Sequence, residues 1–238
     1  MSLALSTGEF HLWTVFTDTV TDADALRRCE AILSPEETAR YQRFHFEKHR
    51  RQFLVSHAFI RSVLARYVDA PAEALRFAVG SHGKPELLDA GDLRFNLSHT
   101  TGLAALAIVR QHDIGVDVEH SERRTVGIDL AERYFAPAEV AQLHALDEAQ
   151  RQQAFFEFWT LKEAYIKARG LGLALPLDAF AYTRGPRTTI AFSEPIADDP
   201  HAWQFVQLRP GPVHHLAAAV HRPAAADLTA VIQTSSWL

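Results

Sequence analysis

The 238-residue chain contains one cysteine and one methionine. A lone Cys29 cannot form an intramolecular disulfide or support a cysteine-rich zinc site, which suits a reducing compartment and makes cytoplasm the expected location. No stretch approaches the ~18 apolar residues of a membrane span, and MSLALSTGEF has neither the basic start nor the apolar run of a signal peptide. Positive charge is in deficit, 24 Lys and Arg against 29 Asp and Glu, and the net charge of −5 argues against a general nucleic-acid binder. P-loop, HExxH, EF-hand and GxSxG patterns are all missing. GLGLAL at 170–175 lacks a third glycine and follows a helical pattern instead of a strand, so it is no dinucleotide fingerprint. What remains is ordinary globular composition, 47% hydrophobic with 11 Gly and 11 Pro, enough for one large or two small units.

FHLWTVF at 10–16 predicts a strand, and Asp22 or Asp24 can cap a short helix running to Leu33. In SPEE at 34–37, Ser34 as N-cap, Pro35 at the first helical position and Glu37 three residues on make a capping box. Helix-prone sequence from Arg40 to Arg66 carries seven cations against the single acid Glu47. A solvated helical face is the commoner reading, yet such a segment would attract a polyanion. LRFAV, LRFNL, LAALAIV and DIGVDVE predict four strands over 75–119, with HGKPELLDAGD connecting the first two. Two short helices and a long one ended by Gly170 follow, and then five short strands from 179 onward. Helix and strand in both halves predict an α+β fold of two subdomains, 1–110 and 111–238.

Four stretches can carry chemistry. In IGVDVE at 114–119, alternation puts Ile114, Val116 and Val118 on one face and Gly115, Asp117 and Glu119 on the other, with the two carboxylates about 6.6 Å apart. Like charges that close repel unless water or a cation stands between them. In WTLKEAYIK, Trp159, Glu163 and Lys167 share one helical face. Taken singly, the first is an amphipathic strand in water and the second a surface ion pair of roughly 0.2–0.5 kcal/mol. Together, Asp117, Glu119 and Glu163 suffice for one hard divalent ion with positions left for substrate oxygens, the habit of Mg²⁺. His112 and His120 flank the strand, but each has opposite parity to its nearest acid, which disfavours an iron site. In FNLSHTTG, Ser98 and His99 leave a strand end; adjacent side chains point apart, so hydrogen bonding to an anion fits better than a nucleophile and base pair. Lys84 sits in HGKP on a turn fixed by Gly83 and Pro85.

GKP, FNLSHT, IGVDVE and FWTLKEAYIK, in this order and at these separations, resemble the signature set of the Sfp-type 4′-phosphopantetheinyl transferases. SPEETARYQRF, YFAPAE and KARGLGLALPLDAF extend the likeness to roughly residues 33–182. The resemblance implies transfer of phosphopantetheine from coenzyme A to a serine hydroxyl of an apo acyl, peptidyl or aryl carrier protein, with adenosine 3′,5′-bisphosphate as the other product. It implies a pseudo-dimer of two similar α+β halves with coenzyme A in the cleft between them, so that a monomer suffices. Carried over by position, Asp117, Glu119 and Glu163 would ligate Mg²⁺, Glu163 would also be the general base, and Lys167 would meet charge on the pyrophosphate. Ser98 and His99 would contact phosphates and Lys84 would lie near the nucleotide. Arg40 matches a 3′-phosphate position, whereas Glu37 stands where relatives carry a second lysine, with Arg43 or Arg51 as compensating cations. His120 departs from the Lys or Arg often found after the acidic pair and is left without a role. SERRTVGIDLAERYF, with Arg123, Arg124 and Arg133, is expected to dock the acidic carrier. The rival activity for the same carboxylates is Mg²⁺-dependent hydrolysis of a nucleotide or pyrophosphate. Gly115 is expected to admit a backbone or ligand at close range.

Overall fold

The structure, a computed structural model, describes residues 3–80, 83–122, 128–172, 175–222 and 226–233. Its first unit is a strand, three α-helices and two antiparallel strand pairs. Strand β1 (Glu9–Phe16) precedes helices α1 (Ala23–Ile32), α2 (Pro35–Tyr41) and α3 (Glu47–Ala65). The short strands β2 (Phe77–Val79) and β3 (Pro85–Leu87) pair with each other, and β4 (Leu93–Thr100) and β5 (Leu103–Arg110) close the unit. Asp22 caps α1 through the Ala25 N–H, and Ser34 and Glu37 complete the capping box of α2. The helix-prone stretch from Arg40 is broken at residues 42–46, and β3 occupies part of the segment expected to be only a connection.

The second unit repeats the plan. Strand β6 (Ile114–His120) is followed by α4 (Ile128–Tyr134), α5 (Pro137–His144), α6 (Glu148–Arg169), the hairpin β7 (Phe180–Thr183) and β8 (Thr189–Phe192), and the hairpin β9 (Trp203–Gly211) and β10 (His214–His221). Gly170, at φ 64, ends α6 in the left-handed region. The first sheet contains the order β1-β5-β4 and the second the order β6-β10-β9, all antiparallel. In each unit the first strand therefore lies beside the last, with one long helix between them in sequence, which is the pseudo-dimer of α+β halves. The last strand, β11 (Thr229–Gln233), crosses the expected division and pairs in parallel with β1, covering an edge of the first sheet.

Apolar alternation sets the layers. Val55, Phe59 and Val63 of α3 pack on one face of the first sheet against Trp13 and Leu106. Its other face, with Phe10, Leu12, Ala105 and Ala107, meets Ile114, Val116, Val118, Leu216 and Ala218 of the second sheet. Helix α6 covers the far face of that second sheet. The order is helix, sheet, sheet, helix, and the face of β6 that bears Asp117 and Glu119 is turned toward α6.

Candidate functional site

Gly115 explains how closely α6 approaches. A Cβ there would lie 3.0 Å from Ala168 Cα and closer still to Ala164 O and Ala168 N. Opposite Gly115 and Asp117 on β10 stand Ala219 and Ala217, both fully buried. A row of small residues thus lets the helix backbone rest on the sheet, and the backbone at close range is that of the helix carrying Glu163 and Lys167.

That approach brings the predicted groups together. Lys167 Nζ donates to Asp117 Oδ1 at 2.6 Å and lies 3.0 Å from Ser98 Oγ. Ser98 Oγ donates to the same Oδ1 at 3.0 Å and accepts from Val118 N at 3.3 Å. Asp117 is 4% exposed, and its other oxygen, Oδ2, is buried without a hydrogen-bond partner. Such an atom carries the full desolvation penalty unless a donor or cation faces it. Burial, and then the carboxylates of Asp117 and Glu119, push the Glu163 carboxyl above its ordinary range against the pull of Lys167. The three acids therefore sense one another across the site. Among the described residues no three His, Cys, Asp or Glu form a ready-made metal cage. The all-oxygen donors and orphaned Oδ2 nevertheless fit a hard divalent ion that takes few protein ligands and completes its shell with phosphate and water.

Cations gather on the first-unit side. The His99 ring is held below its ordinary pKa, first by the protein crowding it and then by His57, Lys167 and Arg40. Gln52 Nε2 donates to Thr100 O at 2.7 Å and lies 3.4 Å from His99 Nδ1. The Arg40 guanidinium sits 5.2 Å from the centre of the Phe53 ring, which also stacks on His57. Arg43 is exposed in the turn after α2 and Arg51 is half-buried on α3. Nothing among the described contacts joins either one to the site. Glu37 accepts from the His57 ring and the Arg61 guanidinium, with His57 Nδ1 at 2.8 Å and Arg61 Nε at 2.6 Å, in addition to its capping role. Burial raises its pKa, but hydrogen bonds from His57, Ser34 N and Arg61 outweigh that and bring it down to about 2.

Lys84 lies at the other end of the same strand edge, where Nζ donates to Ile114 O at 3.1 Å and Ala168 O at 3.2 Å. A cavity of about 280 Å³ opens between the halves, lined in part by Lys84, Asn96, Glu163, Ile166, Lys167 and Gly170. A second cleft of about 480 Å³ runs along Glu157, Arg184, Gln207, Arg209 and His215, and no predicted site residue lines it. His120 packs edge-on against His214, with ring centres 5.0 Å apart. Arg133 is exposed on α4, whereas Arg123 and Arg124 lie outside the described residues.

Sequence reasoning passed over three contributors. Asn96 Oδ1 accepts from Val116 N at 2.9 Å, joining β4 to β6. His57 of α3 lies near enough to His99 to help hold its pKa down. Lys162, next to Glu163, forms a fully buried pair with Glu139 at 2.7 Å and donates to Leu177 O and Phe180 O. Burial pushes Glu139 up and Lys162 down, and each restrains the other. The pair pins α6 to α5 and β7.

Residues 113–221 match a family model described as the 4′-phosphopantetheinyl transferase superfamily, and residues 21–111 match one described as 4′-phosphopantetheinyl transferase, N-terminal. The chain is 39% identical over 176 residues to the 4′-phosphopantetheinyl transferase HetI of Nostoc sp., covering 73% of each chain. It is 27% identical over 220 residues to the 4′-phosphopantetheinyl transferase Sfp of Bacillus subtilis, covering 92% of this chain and 96% of the other. A crystal structure of Thermotoga maritima holo-[acyl-carrier-protein] synthase matches 46% of this chain and 62% of that one, at 20% identity and a TM-score of 0.38.

Proposed function

The chain belongs to the 4′-phosphopantetheinyl transferase superfamily, and from that premise we propose how its residues divide the work of moving phosphopantetheine from coenzyme A to a carrier-protein serine. The serine oxygen attacks the phosphorus nearer the pantetheine arm, the bond from that phosphorus to the bridging oxygen breaks, and adenosine 3′,5′-bisphosphate departs. Glu163, on the wall of the cavity that Lys84 and Lys167 also line, accepts the hydroxyl proton. Lys167, one turn further along α6, meets the charge that grows on the departing phosphate. Arg40, with Arg43 and Arg51 on the surrounding surface, supplies the positive field for the remaining phosphates, His99 offers them a neutral imidazole N–H, and Lys84 borders the cavity in which the nucleotide is placed. Mg²⁺ held by Asp117, Glu119 and Glu163 would neutralise the diphosphate as it approaches those carboxylates.

The observation that carries this reading is the convergence at Asp117. One of its oxygens is saturated by Ser98 and Lys167, the other is buried and unpartnered, and its charge is felt at Glu163. The carrier is assigned, by charge, to the segment that carries Arg123, Arg124 and Arg133, of which the first two lie outside the described residues. Because the duplicated halves supply both walls of the cleft, a single chain is a complete enzyme. We assign it to the cytoplasm on the strength of its one, buried, unpaired cysteine; among the described residues no helix is long and apolar enough to cross a membrane.

The test is intact-mass spectrometry of an apo carrier protein mixed with the protein, coenzyme A and Mg²⁺. A gain of the phosphopantetheine mass that vanishes with EDTA supports the assignment. Breakdown of coenzyme A without labelling of the carrier contradicts it and favours a hydrolase.

A further inference from the structure

Strands β4 and β6 lie side by side without sharing a backbone ladder among the described residues. Strand β6 spends one edge on β10, which leaves the other edge facing the first unit. Along that edge three polar groups are met at every second residue, each by a side chain. Lys84 Nζ donates to Ile114 O at 3.1 Å, Asn96 Oδ1 accepts from Val116 N at 2.9 Å, and Ser98 Oγ accepts from Val118 N at 3.3 Å. The equal two-residue steps, 96 to 98 and 116 to 118, mean that β4 and β6 run in the same direction. Asn96 and Ser98 are 4% and 7% exposed.

A serine hydroxyl has one proton and two acceptor sites. At Ser98 the proton goes to Asp117 Oδ1, and the acceptor sites meet Val118 N and Lys167 Nζ. Its capacity is used entirely within the protein, and donating to a phosphate would mean releasing Asp117. Lys84 likewise has two backbone carbonyls, Ile114 O and Ala168 O, within hydrogen-bond reach.

We propose that Lys84, Asn96 and Ser98 form a side-chain clasp on the open edge of β6, which joins the two halves of the enzyme and, through Ser98, turns Asp117 so that Oδ2 faces the ion. Asn96 and Ser98 are positioning residues in this scheme. Outer groups that orient a metal-binding carboxylate commonly matter about 10–100-fold in metal affinity. The proposal rests on Asp117 holding the ion, as assigned above.

Mn²⁺ binding to the full chain without coenzyme A, followed by electron paramagnetic resonance, tests it away from catalysis and away from any phosphate. Ser98→Ala is expected to weaken binding about 10–100-fold, and Ser98→Thr, which restores the hydroxyl, to recover most of it. If Ser98→Ala binds Mn²⁺ like the wild type while Asp117→Asn does not, the clasp is wrong and the metal assignment stands. If Asp117→Asn also binds like the wild type, the metal assignment fails. Hydrogen exchange then decides the clasp alone, and does so too if a variant fails to fold. In the wild-type protein the Val116 and Val118 amides must be protected although they point away from β10, and Asn96→Ala must release Val116. Exchange of both amides at unpaired rates in the wild type overturns the proposal.

Discussion

Replacing Gly115 with alanine adds one methyl group where α6 leaves no room. Its Cβ would stand 3.0 Å from Ala168 Cα and nearer still to Ala164 O and Ala168 N, whereas ordinary contact begins at 3.4 Å. The neighbours are backbone of a helix pinned by the buried Lys162 and Glu139 pair, so no flexible side chain can swing aside. Restoring contact requires α6 to retreat by more than about 1 Å, and overpacking of this kind costs about 1–3 kcal/mol, at the upper end against backbone. The same movement stretches the 2.6 Å link from Lys167 to Asp117 beyond hydrogen-bond range. A misplacement of that size costs on the order of 100-fold in rate. Urea denaturation should thus show Gly115→Ala less stable by about 3 kcal/mol, with transfer to an apo carrier down about 100-fold in kcat at saturating coenzyme A. A variant within about 0.5 kcal/mol of wild type and equally active would refute the close packing of α6 on β6.

Lys167→Met removes the cation at Asp117 and is expected to lower kcat by about 100- to 1000-fold in steady-state transfer assays, and to lower the melting temperature as well because it strands a buried carboxylate. Lys162→Met strands the buried Glu139 carboxylate and should cost about 3–5 kcal/mol in chemical denaturation; adding Glu139→Gln should recover part of the loss, and purely additive losses would count against a coupled pair. Glu37 predicts an acid limb in stability. Its folded pKa of about 2 lies below the ordinary 4.5, so its contribution is complete above about 4.5 and is lost as pH falls toward 2. The full difference corresponds to roughly 3.4 kcal/mol, which access of solvent to the partly exposed His57 and Glu37 reduces to about 1–2. Urea midpoints measured from pH 7 to pH 2 should accordingly converge for wild type and Glu37→Gln at the acid end and differ at neutral pH.

Sequence patterns announced most elements because their signals are local. The alternation of IGVDVE, the capping box at Ser34 and the left-handed Gly170 depend on residues within one or two turns of each other. Gly115 could be flagged as a close-approach position, but the partner, α6, lies some 50 residues on. Strand β11 could be recognised as a strand, yet nothing local says that it crosses to β1. The clasp was invisible for a different reason. A side chain that caps another strand's backbone leaves no periodic trace, and Asn96 in FNLSHT reads like any buried strand residue. Glu163 and Lys167 suggested an intrahelical pair, whereas Lys167 reaches Asp117, because burial of that carboxylate makes a partner there worth more than one at the helix surface. Lys162 was hidden by its own position beside Glu163, since only the fold shows that it points away toward Glu139.

The central claim is that Glu163, beside Asp117 on a helix held close by Gly115, takes the serine proton within a carboxylate site that depends on a divalent ion. The most direct measurement is single-turnover transfer to an apo carrier protein at saturating coenzyme A and Mg²⁺, followed by intact mass, for wild type and Glu163→Gln. The account predicts a folded variant that still binds coenzyme A but labels the carrier at least about 100-fold more slowly. Labelling by Glu163→Gln at the wild-type rate, or labelling by the wild type that persists undiminished in EDTA, would contradict it.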